Sequence, residues 1–357
     1  MQFTLFGYPQ SGKTTLFNLL TNAGIQITAF DSHKKEPNLR KAHVPDERLD
    51  SLWGLFSEKE KKPAAIDFVD LAGTAFGEVK NSTYLNYLRT ADGLVHVVRG
   101  FASEQIPHPK GSIDIKRDIL SMEEELVFTD LVSVESRLEK LEKDLSRAKY
   151  PEGEKERDLL RECLSHLEEG TPLRSMDLST RKNQVLKHFS FLSLKPLLHV
   201  INLDEDNISI LQSPESVFRV QHKNTSILAV CGQIESEIQE LEEEEKDGFL
   251  SEYGLSEVSS DRFLKTAYSL LNVITFYTIG EKEVKAWTIK DGSTAVLAAG
   301  AIHSDIEKGF IKAEVTPVSG ILECGSLQIA KEKGILRLEG KDYVVQDGDV
   351  IYFRFAK

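Results

Sequence analysis

Apolar residues in this chain gather in short unbroken runs rather than alternating with polar ones. Residues 3–6, 65–70, 93–99, 195–202 and 226–230 are such runs, rich in Val, Ile, Leu and Phe. Unbroken apolar runs suit strands covered on both faces, as in a parallel sheet. The segments between them read as helices, which predicts a doubly wound, mostly parallel α/β sheet. The rhythm changes from about Leu126 to Gly170, where Leu131, Val134, Leu138, Leu141 and Leu145 step by three and four. That is a coiled-coil seam. A turn is expected at Tyr150-Pro151-Glu152-Gly153, followed by a second helix striped by Leu160, Leu164 and Leu167. The narrow seam predicts an antiparallel hairpin inserted between two strands, as against ordinary covering helices. Beyond Asn272, strand-like runs at 273–278, 284–289 and 349–355 and a short helix at 295–302 predict a small α+β domain. The expected division is therefore 1–125 with 188–272 for the α/β domain, 126–187 for the helical insertion and 273–357 for the last domain.

Composition sets limits on this picture. The 357 residues suffice for two or three domains, and 40% hydrophobic with 28% charged residues is ordinary for a globular chain. No run is long enough to span a bilayer, and the first strand starts at once, so neither a membrane span nor a signal peptide is expected. Cys163, Cys231 and Cys324 stand alone without metal-ligand spacing, which fits a reducing cytoplasm. The net charge of −13 opposes broad non-specific nucleic-acid binding, and no DNA partner is expected. From Val273 onward there are 11 Lys/Arg and 12 Asp/Glu, so the last domain is nearly neutral and free to approach RNA or acidic partners. The acidic run from Glu235 to Glu245 reads as a solvated helix face.

The chemistry is concentrated at the start. Gly7-Tyr8-Pro9-Gln10-Ser11-Gly12-Lys13-Thr14 is a complete G-x-x-x-x-G-K-[ST] loop between a strand and a helix beginning near Thr15. Such a loop aims backbone N–H groups and the positive end of a helix at one point, which is what a triphosphate needs. Lys13 is expected on the β- and γ-phosphates and Thr14 on Mg²⁺. Asp70 and Gly73 close an apolar strand, where a carboxylate holds Mg²⁺ through water and a glycine N–H meets the γ-phosphate. Lys13 is thus the catalytic candidate on phosphate, and Thr14 and Asp70 are the metal candidates.

On these motifs the chain resembles the YchF/Obg-like ATPases of the TRAFAC class. The resemblance is carried further by Pro45-Asp46-Glu47-Arg48-Leu49, His96-Val97-Val98-Arg99, Asn202-Leu203-Asp204-Glu205 and, most specifically, the run from Ala286 through Asp349. It implies a nucleotide domain, a coiled-coil insertion and a C-terminal β-grasp (TGS) domain. It further implies ATP or GTP hydrolysis, a cytoplasmic location and association with the ribosome or its RNA. Base choice falls on Asn202, Leu203 and Glu205: leucine and glutamate replace the lysine and aspartate of a guanine site, so the pattern goes with ATP. Asn-Leu-Asp-Glu also reads as a strand-end turn. Cys231-Gly232-Gln233 is expected to close over the base.

The chain departs from the family pattern at its switches. Gln10 replaces an asparagine associated with potassium, no threonine sits where the first switch needs one (Ser32 is nearest), and Thr74 stands where Ras-like enzymes orient water. No general base is evident; His108 is either a water-positioning group or a solvated loop histidine. Two functions follow: a slow Mg²⁺-dependent NTPase switch, or a nucleotide-gated RNA- or ribosome-binding module with negligible turnover. A metabolic kinase would need an acceptor site and a lid, and neither is evident.

Overall fold

The computed structural model describes residues 1–25, 37–71, 82–103, 107–148, 150–255 and 257–356. The chain forms two compact units, one of Met1–Lys41 and Asp67–Phe263, the other of Ala42–Ile66 and Leu264–Lys357.

The strands are β1 (Gln2–Phe6), β2 (Asn38–His43), β3 (Glu60–Lys62), β4 (Ala65–Asp70), β5 (Gly93–Gly100), β6 (Leu197–Leu203), β7 (Thr225–Cys231), β8 (Val273–Ile279), β9 (Glu283–Lys290), β10 (Phe310–Pro317), β11 (Arg337–Glu339) and β12 (Asp349–Phe355). The first five helices are α1 (Lys13–Thr21), α2 (Glu47–Gly54), α3 (Ser82–Thr90), α4 (Ile115–Arg147) and α5 (Pro151–Glu168).

The first unit is built on a sheet of order β2-β4-β1-β5-β6-β7, in which β1 pairs in parallel with β4 and β5, and β6 with β5 and β7. Every residue of β6 is buried, as the unbroken apolar run requires. The chain starts at the centre, winds to one side through β4 and to the other through β5, β6 and β7. The loop after β1 therefore opens at the switch point of the sheet, where such folds bind ligands.

α4 is one uninterrupted helix of 33 residues. Its first turns pack on the sheet through Ile119, Met122 and Leu126, and its later turns form the seam through Val134, Leu138, Leu141 and Leu145 against Leu160, Cys163 and Leu167 of α5. The helix that carries the seam thus starts at Ile115, well before 126, because its first apolar residues are needed by the sheet. The expected turn at 150–153 is shorter than the sequence suggests. Pro151 occupies the first helical position of α5, where its missing N–H costs nothing, and Tyr150 is the extended residue before it. The return from the hairpin is fixed by the buried Asp130, which accepts the backbone N–H groups of Leu192 (2.9 Å) and Ser193 (2.6 Å). Glu235 is a correction to the solvated acidic face: it is buried and accepts the N–H of Ser259 at 2.8 Å, capping the helix Ser259–Leu270.

The second unit is a sheet of order β11-β10-β12-β8-β9-β3. The helix Ala295–Ile302 lies on it through Ala295, Ala298 and Ala299, packed with Phe276, Phe310 and Phe353. Alanines at these positions let helix and sheet approach closely. Segment 42–66, read from the sequence as part of the α/β domain, falls in this unit. β3 adds to β9 in parallel, and Asp46, the N-cap of α2, accepts from Arg48 N–H while receiving the Tyr277 hydroxyl. Arg48 also reaches Asp347 at 2.6 Å. Among the described residues, no helix is long and apolar enough to cross a membrane.

Candidate functional site: a phosphate loop with a buried polar support

β1 delivers the chain to Gly7, whose φ of 139° and close approach both demand glycine: a Cβ there would lie 2.5 Å from the Val97 carbonyl oxygen. The loop passes Pro9 and Gln10, the latter left-handed at φ 60°, and enters α1 at Gly12. Gly12 has φ 94°, and a Cβ on it would sit 2.0 Å from Nδ2 of Asn202. Gly12→Ala is expected to combine backbone strain with a steric clash, lowering stability by about 2 kcal/mol and nucleotide affinity by at least ~10-fold. Thermal unfolding and nucleotide titration check this.

Lys13 is folded back on the loop. Its Nζ donates to the carbonyls of Gly7 (3.2 Å) and Tyr8 (2.8 Å). Burial lowers its pKa to about 8, with the Asp70 carboxylate acting in the opposite direction. Thr14 Oγ1 donates to Asp70 Oδ2 at 2.8 Å. Asp70 is fully buried, and its Oδ1 meets no donor among the described residues. A buried carboxylate with one hydroxyl partner and one open oxygen is a donor set that suits Mg²⁺ and its waters. Thr15 follows on α1, and Ser11 is buried in the loop.

Asn202 stands at the end of β6 and donates from Nδ2 to the Ser11 carbonyl at 3.2 Å. It thereby ties the base-side strand to the phosphate loop. Leu203 points the other way: it shares a face with Ile201 and Val98 and packs among Ile119, Leu211 and Ile227. Strand alternation puts neighbours on opposite faces, so Leu203 is core here, and the expectation that it lies along a base ring is corrected. Glu205 opens a short 3₁₀ turn and is exposed. Asp204, to which sequence reasoning assigned no role, braces the site by accepting from Ala102 N–H (3.3 Å) and Asn207 Nδ2 (2.6 Å). Cys231 is the last residue of β7 and its thiol is buried in the core, which raises its pKa. Gly232 and Gln233 start the helix Gly232–Glu240, which packs against α1. Gly73, Ser32 and Thr74 lie outside the described residues.

His108 is not a solvated loop histidine. It is 9% exposed, its ring stands edge-on to Tyr8 of the phosphate loop at 6.0 Å, and its Nε2 lies 3.0 Å from Oδ2 of the buried Asp118. The contact is close but does not have hydrogen-bond geometry: neither His108 Nε2 nor Asp118 Oδ2 has a hydrogen-bond partner among the described residues. Burial pulls the His108 pKa down while Asp118 pulls it up. Tyr8 hydroxyl donates to Ser121 on α4 at 3.3 Å.

The support beneath the loop was not legible in the sequence. A Cβ on Gly7 would lie 3.3 Å from the His96 ring. His96 Nδ1 is 3.1 Å from His199 Nδ1, and His199 Nε2 is 3.3 Å from Glu123 Oε1. Arg174 completes the line by pairing with Glu123 and donating to Thr225 Oγ1 (2.9 Å) and the Ser193 carbonyl (3.2 Å). Burial, with the neighbouring His199, holds His96 well below its usual pKa.

Residues 2–155 match the family model of 50S ribosome-binding GTPases, and residues 273–356 match YchF-GTPase_C, described as a protein of unknown function. The chain is 39% identical over 359 residues to the ribosome-binding ATPase YchF of Bacillus subtilis, with 98% of each chain covered. The chain belongs to the YchF family. The Haemophilus influenzae protein of the same name is 40% identical over 358 residues, again with 98% of each covered. The YchF GTPase of Schizosaccharomyces pombe has a similar structure, with a TM-score of 0.86, 26% identity and coverage of 99% of this chain and 97% of that one. An α/β phosphate-loop fold with a helical hairpin and a C-terminal β-grasp unit is thus a family property as well as an observed one.

Proposed function

We propose that this YchF-family chain is a Mg²⁺-dependent ATP- and GTP-binding protein that hydrolyses nucleotide slowly and prefers ATP. The observation that carries this reading is the joined cradle of Lys13, Thr14, Asp70 and Asn202, in which one carboxylate oxygen is held by Thr14 and the other is left open. Gly7 through Thr15 would wrap the phosphates with backbone N–H groups and Lys13 would leave the loop carbonyls for the β- and γ-oxygens. Gly73 would add its N–H to the γ-phosphate. Thr14 and Asp70 would hold Mg²⁺, which neutralises charge on the phosphates when bound. Asn202 would meet the base edge, Glu205 would exclude guanine, and Gly232 and Gln233 would close over the base. His108 would orient the attacking water.

The ribosome-binding ATPases among its relatives support association with the ribosome; contact with ribosomal RNA and a cytoplasmic location belong to the same reading. Under this reading the expected nucleotide domain of 1–125 with 188–272 gives up 42–66 to the second unit, 126–187 is a coiled-coil arm and 273–357 with 42–66 the TGS-bearing unit, with the last two meeting partners. The absence of a threonine before Pro37 in the first switch favours the second reading, a nucleotide-gated RNA- or ribosome-binding module with negligible turnover.

Titration of nucleotide-free protein with fluorescent ATP and GTP analogues in Mg²⁺, competed by the unlabelled nucleotides, tests base choice. ATP is expected to bind at least ~5-fold tighter, about 1 kcal/mol; tighter GTP binding would overturn the role given to Glu205. Phosphate release over many turnovers, lost in Asp70→Ala, separates the slow hydrolase from the non-hydrolysing module.

A further inference from the structure

The start of α4 carries a buried carboxylate that the nucleotide cradle does not use. Asp118 is 1% exposed. One oxygen, Oδ1, is gripped by Arg117 through Nε (2.9 Å) and Nη2 (2.8 Å), and Arg117 is itself held by Ser112 through Oγ (3.0 Å) and the carbonyl (2.7 Å). The other oxygen, Oδ2, lies 3.0 Å from His108 Nε2. The opposite ring atom, Nδ1, accepts the Lys110 N–H at 3.2 Å. An atom that accepts carries no proton, so the Lys110 bond leaves the proton of a neutral ring on Nε2, beside a carboxylate oxygen that has no other donor among the described residues.

We propose that Asp118 is a positioning residue that fixes His108 as the Nε2–H tautomer, leaving Nδ1 as the acceptor for the proton of the attacking water. This rests on the reading of His108 as the group that orients that water. The Lys110 bond is long and local, and giving it up costs about 1 kcal/mol. In the step, one water proton moves to Nδ1 as the water oxygen bonds to the γ-phosphorus. The bond from phosphorus to the β–γ bridging oxygen breaks, its electron pair stays on the diphosphate, and the imidazolium later returns the proton to the phosphate product or to solvent. Asp118 stabilises the imidazolium meanwhile, as the orienting carboxylate does in Ser-His-Asp triads. The charges acting on the ring are Asp118, which favours the imidazolium, and Arg117 and Arg99, which oppose it.

The test compares steady-state and single-turnover ATP hydrolysis for the unaltered protein, His108→Ala, Asp118→Asn, Asp118→Glu and the His108→Ala/Asp118→Asn pair, with nucleotide affinity measured in parallel. Asp118→Asn is expected to lower kcat by about 10- to 100-fold with affinity unchanged within about twofold, and Asp118→Glu to recover part of the loss. The double variant is expected to be no slower than His108→Ala alone, because the two act as a unit. Removing the Asp118 charge makes the imidazolium less stable, so the acid limb of the kcat profile is expected to move to lower pH. If His108→Ala leaves kcat unchanged, the reading of His108 fails and this proposal falls with it. If His108→Ala slows turnover but Asp118→Asn keeps the original kcat and acid limb, the role of Asp118 alone is overturned. Imidazole ¹⁵N spectra of the unaltered protein decide the matter even where a variant does not fold: a protonated Nε2 with a bare Nδ1 is expected for His108, and the reverse tautomer overturns the proposal.

Discussion

Lys13→Ala is expected to weaken ATP binding by about 100-fold. A charge-assisted contact contributes roughly 1.5–3 kcal/mol, one to two orders of magnitude in affinity. In the ligand-free protein that lysine is held by the Gly7 and Tyr8 carbonyls, so its removal also leaves two loop oxygens without their donor. The burial that lowers its pKa to about 8 adds a pH signature. Phosphates favour the charged form, so above pH ~8 binding must take up a proton, and affinity is expected to fall by up to about tenfold per pH unit. Below that pH the lysine is already charged and affinity should level off. Fluorescent-nucleotide titrations between pH 6.5 and 9.5 measure both effects; unchanged affinity in Lys13→Ala would remove Lys13 from the site.

Arg174→Ala is expected to produce the largest loss of stability, about 3–5 kcal/mol, because it strands the Glu123 carboxylate in the interior. Arg174 joins α4, β7 and the segment at Ser193, so three elements lose one anchor together. Removing both charges, with Glu123→Gln and Arg174→Met, should cost less than removing the arginine alone. Burial by itself would push the Glu123 carboxyl up. The His199 contact and the Arg174 guanidinium outweigh it and hold the group down at about 2, against an ordinary value of 4.5. A carboxyl held low in the folded state stabilises the fold above its ordinary pKa, and that stabilisation is lost as pH falls from about 4.5 towards 2. The expected pH dependence in that window is worth roughly 3 kcal/mol and should flatten in Arg174→Ala. Thermal unfolding at pH 7 and pH 3 tests this; equal melting temperatures for the variant and the unaltered protein at both values would refute the anchor role.

The sequence made the sheet legible because its strands are unbroken apolar runs, and it made the phosphate loop legible because glycine spacing reflects backbone geometry. Gly7 and Gly12 stand where a Cβ would strike Val97 and Asn202. The short strands β2, β3 and β11 were not legible. Asn38–His43 and Glu60–Lys62 carry mostly polar residues, and the partner of the second, β9, lies far along the chain. Leu203 was misread because a motif gives spacing but not which face of a strand a residue occupies. The support line of His96, His199, Glu123 and Arg174 joins residues from four separate places, and Asp118 meets His108 only because α4 begins where it does. Single histidines and acids in a sequence carry no mark of such meetings.

The second unit draws on two stretches of chain, Ala42–Ile66 and Leu264–Lys357, and this has a consequence during synthesis. The ribosome makes α2 and β3 early, while β9, the strand that β3 pairs with, is still more than two hundred residues from being translated. Leu49 and Leu52, buried in the finished protein, must wait uncovered or be sheltered through that interval. The C-terminal unit is therefore not a module that ends where the gene could be cut at residue 272. A chain stopped there would keep an orphaned helix and strand, and a chain started there would lack an edge of its own sheet.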